Sequence, residues 1–319
     1  MRCGPESPTL GQSQANHPKS VLLSTVNMVN ALSVDVEEYF QVSAFEAHIS
    51  RSEWDNWPSR VTWATERLLD VFGEAGARAT FFTLGWVAER HPALIARMVR
   101  EGHEVGCHGY EHIRITTQTR EAFRVDLARS KRLLEDAAGV AVRGYRAATF
   151  SITRDNLWAF EEIEQAGFEY SSSVYPVHHD LYGIPDAPRR PFRPVGTARM
   201  VEIPVSTLAF GALNLPVAGG GYFRLLPYAV SKALVRRVHK REGMPVNMYF
   251  HPWEFDPEQP RPSGLTFKTR LRHYINQGRT LTRMRALVRD FRWDCFANVY
   301  ADAIAGQGLA DAGSDLVAV

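Results

Sequence analysis

Two histidines separated by three residues are the feature of this sequence with the clearest chemistry. His108 and His112 follow the short predicted strand of residues 103–106. Their spacing lets both imidazoles meet on one side of a helical turn and bind one metal ion as neutral ligands. An isolated pair of this kind is more often a coincidence of packing than a metal site, so a site needs a third ligand and catalytic groups nearby.

Carboxylates lie at the end of another predicted strand. In residues 31–37 apolar side chains alternate with Ser33, Asp35 and Glu37, which places the three polar groups on one face. Two carboxylates at the end of a core strand are costly unless something pairs with them. One carboxylate and two histidines are the type of ligand set found in hydrolytic metal sites, and a second carboxylate can serve as the general base.

Predicted strands and helices alternate along the chain. Strands are expected at residues 31–37, 78–84, 103–106, 142–146, 168–171, 200–205 and 245–250, and helices at residues 60–72, 92–100, 119–138, 154–166, 226–241 and 279–289. This alternation predicts an α/β fold with a parallel sheet, either a barrel or a doubly wound sheet. Catalytic groups gather at the carboxyl ends of the strands in such folds, where Asp35, His108 and His251 lie. Residues 173–194 and the glycine-containing stretch 214–222 are predicted loops.

Composition excludes several classes of protein. The 319 residues are 45% hydrophobic with a formal net charge of +2 and no strongly basic face, so no nucleic-acid partner is expected. Three cysteines provide no disulfide framework, and a reducing compartment is the default. No apolar run reaches the ~18 residues of a membrane span, and residues 1–20 lack the apolar core of a signal peptide. We therefore expect a cytoplasmic protein, with the inner membrane face as a further option; homo-oligomer formation stays open.

Four stretches together resemble the motifs of carbohydrate esterase family 4, the NodB-type polysaccharide deacetylases. The stretches are SVDVE at 33–37, HGYEH at 108–112, GYRAATFS at 144–151 and YFH at 249–251. The chain departs from the family's pattern at Gly109, where Ser or Thr is usual, at Ala148, where Pro is common, and at Ser171, where Asp is common. The resemblance covers roughly residues 30–300, and it is closest to the subgroup tied to bacterial exopolysaccharide and exosortase (PEP-CTERM) loci.

This resemblance implies a distorted parallel (β/α)7-type barrel and a set of roles for the motif residues. The implied metal ligands are Glu37, His108 and His112, and the implied catalytic residues are Asp35 as base, Arg146 as its partner and His251 as acid. Glu38 stays an alternative to Glu37 as ligand. The implied substrate-binding residues are Tyr110, Phe150, Trp253 and Glu254. The metal is expected to be Zn²⁺, although Co, Ni, Fe or Mn also suit these ligands.

The implied function is removal of N-acetyl groups from amino sugars of an exopolysaccharide or its lipid-linked precursor. Two alternatives stay open: a related C–N hydrolase acting on a small amide, such as an allantoinase-like enzyme or a formamido-sugar deformylase, and a non-catalytic glycan-binding relative. Ser171 leaves open how Arg146 or His251 is braced, and Glu254 or Asp180 could substitute for the missing Asp.

The chain is expected to form one catalytic domain. Residues 28–300 would make up this domain, including a family-specific C-terminal extension. Residues 1–27 are predicted to be a disordered tail and residues 301–319 a flexible tail. A chain that starts at Met28 should therefore fold and retain its activity.

Overall fold

The computed structural model of the chain describes Met1 and residues 28–179, 182–211 and 213–310. The strands within these ranges are β1 (Val29–Val36), β2 (Thr80–Thr83), β3 (Glu104–Cys107), β4 (Gly144–Tyr145), β5 (Tyr170–Ser171), β6 (Val201–Glu202), β7 (Thr207–Phe210), β8 (Leu213–Pro216), β9 (Asn247–Phe250) and β10 (Arg292–Asp294). The α-helices are α1 (Val61–Ala75), α2 (Gly85–Arg90), α3 (Pro92–Arg100), α4 (Arg120–Ala138), α5 (Ala159–Gln165), α6 (Gly220–Leu225), α7 (Tyr228–Glu242), α8 (Phe267–Tyr274), α9 (Gln277–Asp290), α10 (Phe296–Val299) and α11 (Ala301–Ile304).

The main sheet is parallel and is organised around β1. One edge of β1 pairs with β9, the second half of β1 pairs with β2, and its first half pairs with β10. The sheet then continues from β2 through β3, β4 and β5 to β6. The sheet curls into a half-barrel with helices packed around it, so the predicted α/β fold with a distorted parallel barrel is confirmed.

Burial explains why β1 lies at the centre. All of its residues after Val29 are buried, and strands covered on both faces are typical of parallel sheets with helical crossovers. The crossover helix α1 buries Val61, Leu68 and Phe72 on one side, and its apolar spacing is that of an amphipathic helix. Because the strand pairs of the main sheet are parallel, the carboxyl ends of β1, β2, β3, β4 and β9 meet at one end of that sheet.

Several elements differ from the sequence-based prediction. The predicted loop at residues 214–222 contains most of β8, which pairs with β7 as an antiparallel hairpin, and the start of α6. Helix α8 was not expected, because its sequence is polar. In the structure two of its apolar residues, Phe267 and Leu271, are exposed.

The predicted flexible tail from residue 301 is wrong for residues 301–310. Residues Ala301–Ile304 are helical, and the Ala310 N–H donates to the Pro191 carbonyl at 2.8 Å. Residues 2–27 and 311–319, to which the rest of the tail predictions refer, lie outside the described residues. Across the described ranges, no helix is long and apolar enough to cross a membrane.

Candidate metal and catalytic site

Asp35 and Glu37 lie side by side where β1 ends. Both side chains are only 2% exposed. The imidazole of His251, which follows β9 on the neighbouring edge of β1, faces both of them. Its Nε2 is 3.9 Å from Asp35 Oδ2 and 3.7 Å from Glu37 Oε1. The parallel pairing of β1 with β9 therefore brings together groups that are more than 200 residues apart in sequence.

Glu37, His108 and His112 form a cluster that could hold one metal ion. One ligand atom from each of the three buried residues lies within 4.8 Å of the others. His112 Nε2 is 3.0 Å from Glu37 Oε2, and the two imidazole rings are 5.2 Å apart. Two imidazoles and a carboxylate leave coordination positions for water and substrate, as in hydrolytic zinc sites.

The spacing predicted that the two histidines meet across a helical turn, and this prediction is wrong. They lie in an irregular loop after β3 that turns at Gly109, where φ is 77°. His112 itself has φ of 54°, in the left-handed region that non-glycine residues seldom adopt. Strain of this kind costs about 1–3 kcal/mol and is typical of functional sites. The loop rather than helix geometry brings the two rings together.

A backbone contact fixes the protonation of His108. Its Nδ1 lies 2.8 Å from the Arg146 carbonyl, which can only accept, so Nδ1 carries the proton and Nε2 keeps its lone pair. Burial lowers the pKa of His108 to about 4, so the ring is neutral at physiological pH. A neutral imidazole whose second nitrogen is hydrogen-bonded to a carbonyl is the usual state of a metal-binding histidine.

Glu37 is charged in spite of its burial. Burial raises the pKa of its carboxyl, but His112, His251 and His108 outweigh that effect and bring it to about 2. Within the described residues, Glu37 Oε2 accepts no hydrogen bond although it is buried and close to His112 Nε2. An orphaned carboxylate oxygen facing two imidazoles fits a bound cation, which would satisfy all three groups.

Glu38, the alternative ligand, has a different role. Its carboxylate accepts the backbone N–H groups of Arg60 and Val61 and the hydroxyl of Ser59, so it caps the start of α1. Negative charge at a helix N-terminus is stabilising. The side chain consequently points away from the histidines, and the structure brings Glu37 to them instead.

Arg146 is buried and holds Asp35. Its Nη1 donates to Asp35 Oδ1 at 2.6 Å and to Ser33 Oγ at 2.8 Å, while Nε and Nη2 donate to the carbonyl and hydroxyl of Ser172 at 2.9 and 3.0 Å. Asp35 and Arg146 therefore form a buried ion pair. Ser33 lies on the same face as Asp35 in the strand alternation, so the sequence contained a signal for it.

A buried acid supports the segment that carries Ser172. Glu202 Oε1 accepts the backbone N–H groups of Ser173 and Val174, both at 2.7 Å. Glu202 lies opposite Ser171 in the β5–β6 register, and burial raises the pKa of its carboxyl to about 7. Arg146 is therefore braced by serines and backbone groups, with Glu202 behind them, although Ser171 replaces the Asp common in the family pattern. No feature of the sequence singled out Glu202 or Ser172.

His251 is held by stacking and by a buried ion pair. Its ring stacks on Trp253 at 4.9 Å with an interplanar angle of 20°. Glu254 Oε1 is 3.7 Å from His251 Nδ1 and 3.3 Å from the Arg224 guanidinium. Burial lowers the pKa of His251, but Glu254, Glu37 and Asp35 outweigh it and raise the pKa to about 9. The imidazole is therefore held in the protonated form that a general acid requires.

The residues predicted to bind substrate are placed differently from one another. Phe150 lies beside the site, with its ring 5.4 Å from the Arg146 guanidinium and 4.8 Å from the Tyr249 ring. The Tyr110 hydroxyl instead donates to Glu89, which lies in α2, so Tyr110 does not join the cluster.

Glu254 and Trp253 also differ from their predicted roles. Glu254 is only 1% exposed and is held by Arg224, which corrects the prediction that it contacts substrate. Trp253 is half-buried, and its indole N–H donates to Glu37 Oε1 at 3.1 Å. Asp180, the other suggested substitute for the missing Asp, lies outside the described residues.

Known proteins match two consecutive parts of the chain. Residues 52–171 match the family model described as polysaccharide deacetylase, and residues 172–301 match DUF3473, a domain of unknown function. A peptidoglycan-N-acetylglucosamine deacetylase of Bacillus cereus is 31% identical over 99 residues, covering 31% of this chain and 36% of the relative. A chitooligosaccharide deacetylase of Sinorhizobium fredii is 32% identical over 104 residues, covering 33% of this chain and 47% of the relative. The chain thus spans less than half the length of these relatives.

A solved structure supports the fold over nearly the whole chain. The crystal structure of a proposed polysaccharide deacetylase from Mycobacterium smegmatis superposes with a TM-score of 0.59 and 20% identity, covering 95% of this chain and 97% of the other. The names of both of these relatives describe deacetylases. Residues 52–171 are therefore similar to the polysaccharide deacetylase family, and the fold of the chain is that of the Mycobacterium smegmatis protein.

Proposed function

We propose that this protein is a metal-dependent N-deacetylase that removes acetyl groups from the amino sugars of an exopolysaccharide or of its lipid-linked precursor. The observation that carries this proposal is the convergence of three kinds of group at one end of the sheet. A set of metal ligands, a carboxylate held by a buried arginine and a protonated histidine all lie within 4 Å of a neighbour in the set. Together these groups can polarise an amide carbonyl, activate a water and protonate the leaving amine.

Glu37, His108 and His112 would hold the metal, for which we propose Zn²⁺. Nitrogen and oxygen ligands of this kind suit zinc, while Co, Ni, Fe and Mn share the same preferences. When bound, the ion polarises the acetamide carbonyl and makes water more acidic. The orphaned Oε2 of Glu37 and the free Nε2 of His108 supply the lone pairs that such an ion requires.

Asp35 is the proposed general base. Arg146 occupies its Oδ1, which leaves Oδ2 on the side of His251. Asp35 takes a proton from the attacking water, whose oxygen forms the new bond to the acetyl carbon. The ion pair with Arg146 positions the carboxylate for that step.

His251 is the proposed general acid. The C–N bond of the acetamide breaks as its nitrogen takes the proton from His251 Nε2, which yields the free amine and acetate. Its side chain keeps 20% exposure, whereas Asp35 and Glu37 keep 2%, so an acetamide group would reach the site from the His251 side. Phe150 lies beside Arg146 and would form part of the wall around the acetyl group.

Product release from a panel of compounds tests the proposal, with acetate measured for N-acetylated substrates, formate for formamido sugars and allantoate for allantoin. The panel contains N-acetylated oligosaccharides, allantoin and formamido sugars, each with the native protein and with the Asp35→Asn variant as the matched inactive control. We expect acetate from at least one N-acetylated oligosaccharide, loss of release after chelation and recovery with added Zn²⁺. Turnover of allantoin or a formamido sugar alone would establish the small-amide alternative, and glycan binding with no turnover of any compound would establish a non-catalytic protein.

A further inference from the structure

Trp253 contacts the metal-binding carboxylate and the catalytic histidine at the same time. It lies in the 3₁₀ turn Pro252–Phe255, directly after β9. One face of its indole stacks on His251, and its Nε1–H donates to Glu37 Oε1 at 3.1 Å. An aromatic residue at the wall of a substrate pocket needs neither contact.

The indole hydrogen bond distinguishes the two oxygens of Glu37. Oε1 accepts the indole N–H, whereas Oε2 accepts no hydrogen bond from any described residue and lies 3.0 Å from His112 Nε2. A carboxylate without this donor could rotate about its last bond and present either oxygen. With the donor in place, Oε2 is the oxygen that faces the imidazoles.

The ring of Trp253 is itself held on its other side. His273, from α8, stacks on it at 4.2 Å with an interplanar angle of 12°, and His273 Nε2 is 2.8 Å from Gln259 Oε1. The Arg224 guanidinium lies 5.3 Å from the centre of the indole ring. The three stacked rings prevent the indole from turning, so the direction of its N–H is set by the fold.

We propose that Trp253 is a positioning residue for the metal site, whose indole N–H orients Glu37 so that Oε2 alone is offered to the ion. This inference rests on the metal-dependent function proposed above and replaces the prediction that Trp253 contacts substrate. Hydrogen-bond partners of metal ligands typically account for 10–100-fold in metal affinity. The residue belongs to the part of the chain that matches the domain of unknown function, so that part would determine affinity at a site whose ligands lie elsewhere.

Zn²⁺ affinity, measured by competition with a chromophoric chelator, tests the role without any substrate. Trp253→Phe keeps an aromatic ring between His251 and His273 but removes the N–H. Trp253→Gln removes the rings but keeps an N–H donor at a similar reach. The matched control is Trp54→Phe, because the Trp54 indole N–H is buried and donates to no described residue. Thermal unfolding of each metal-free variant monitors the fold separately.

We expect Trp253→Phe to weaken Zn²⁺ binding by about 10–100-fold, and Trp253→Gln and Trp54→Phe to stay within a few-fold of the native protein. Native affinity in Trp253→Phe would overturn the inference while leaving the proposed function intact. Equal losses in the Phe and Gln variants would show that an N–H donor without the indole ring does not restore Zn²⁺ binding, and would overturn the role assigned to the N–H. A native protein that binds no Zn²⁺ would refute the proposed metal dependence itself.

Discussion

The two parts of the chain build the same site by different physical means. Up to residue 171, the site groups are fixed by neighbouring parallel strands and by backbone contacts, as for Asp35 beside Arg146 and for His108 on the Arg146 carbonyl. After residue 171, His251 is fixed by stacked aromatic rings and by the buried pair of Arg224 with Glu254. The first part holds the ligands and the base, and the second part supplies the acid.

The strand pairing shows that the boundary between the two matched families, at residue 171, is not a structural boundary. β5 ends at Ser171 and pairs directly with β6, and both β9 and β10 flank β1. The segment matching a domain of unknown function thus completes the sheet and contributes His251 to the site. Its chemical contribution can be separated from that of the first part by substitutions on each side.

Loss of a ligand in the first part should have the largest effect. We expect His108→Ala and His112→Ala each to abolish stoichiometric metal binding. Acetate release should fall by more than about 100-fold, the upper end of the loss seen when only a hydrogen-bond partner of a metal ligand is removed. Elemental analysis of the purified variants and acetate release are the measurements. His48→Ala is the control, because His48 is exposed and lies outside the site. Native metal content in both site variants would show that the histidines are not ligands.

Substitution of the proposed base or acid should lower the rate of the reaction without changing metal binding. Asp35→Asn and His251→Gln should each lower kcat by about 10²–10⁴-fold, the usual contribution of a general base or acid, while keeping the native metal content. A His251 variant that loses metal as well would mean that the second part also holds the ion. An active Asp35→Asn variant would move the base to another residue.

Removal of Arg224 should damage the second part through stability. Arg224→Met removes the guanidinium from the buried carboxylate of Glu254, which keeps only His251 beside it, and we expect the free energy of unfolding to fall by about 3–5 kcal/mol in urea titrations. The double variant with Glu254→Met should recover most of that stability but not the activity, because His251 stays without its partner. Arg143→Met, which breaks the exposed pair with Glu169, should cost about 1 kcal/mol or less. An equal cost for the two arginines would contradict the role of burial.

The smallest effect concerns the support behind Arg146. The pKa of Glu202 is raised by burial from 4.5 to about 7, so the folded chain binds more protons than the unfolded chain between these pH values. Its contribution to stability is therefore present at low pH and declines as the pH rises through that window, by on the order of 3 kcal/mol. Glu202→Gln cannot titrate, so its unfolding free energy relative to the native protein should increase from pH 4 to pH 8 by about that amount. A difference that does not change with pH would show that the pKa of Glu202 is the same in the folded and the unfolded chain.

Part of this arrangement could be read from the sequence because it depends on short periodicities. Alternation in β1 puts Ser33 and Asp35 on one face, Glu37 follows the strand directly, and His251 faces both acids. The succession of strands and helices determined the parallel sheet, and with it the end of the sheet where polar groups collect. These patterns involve residues within one strand or helix or the order of such elements, so they can be recognised without knowing which elements pack against each other.

Tertiary structure alone decided how the site is completed. The strand alternation ends at Val36, and only the position of α1 shows that Glu38 caps that helix while Glu37 turns to the histidines. Arg224, Glu202 and the indole of Trp253 contact partners that lie between 28 residues (Glu202 to Val174) and 216 residues (Trp253 to Glu37) away in sequence. Contacts at such separations leave no periodic trace in a single sequence. They arise because burial forces each charge or N–H to find a partner wherever the packed elements provide one.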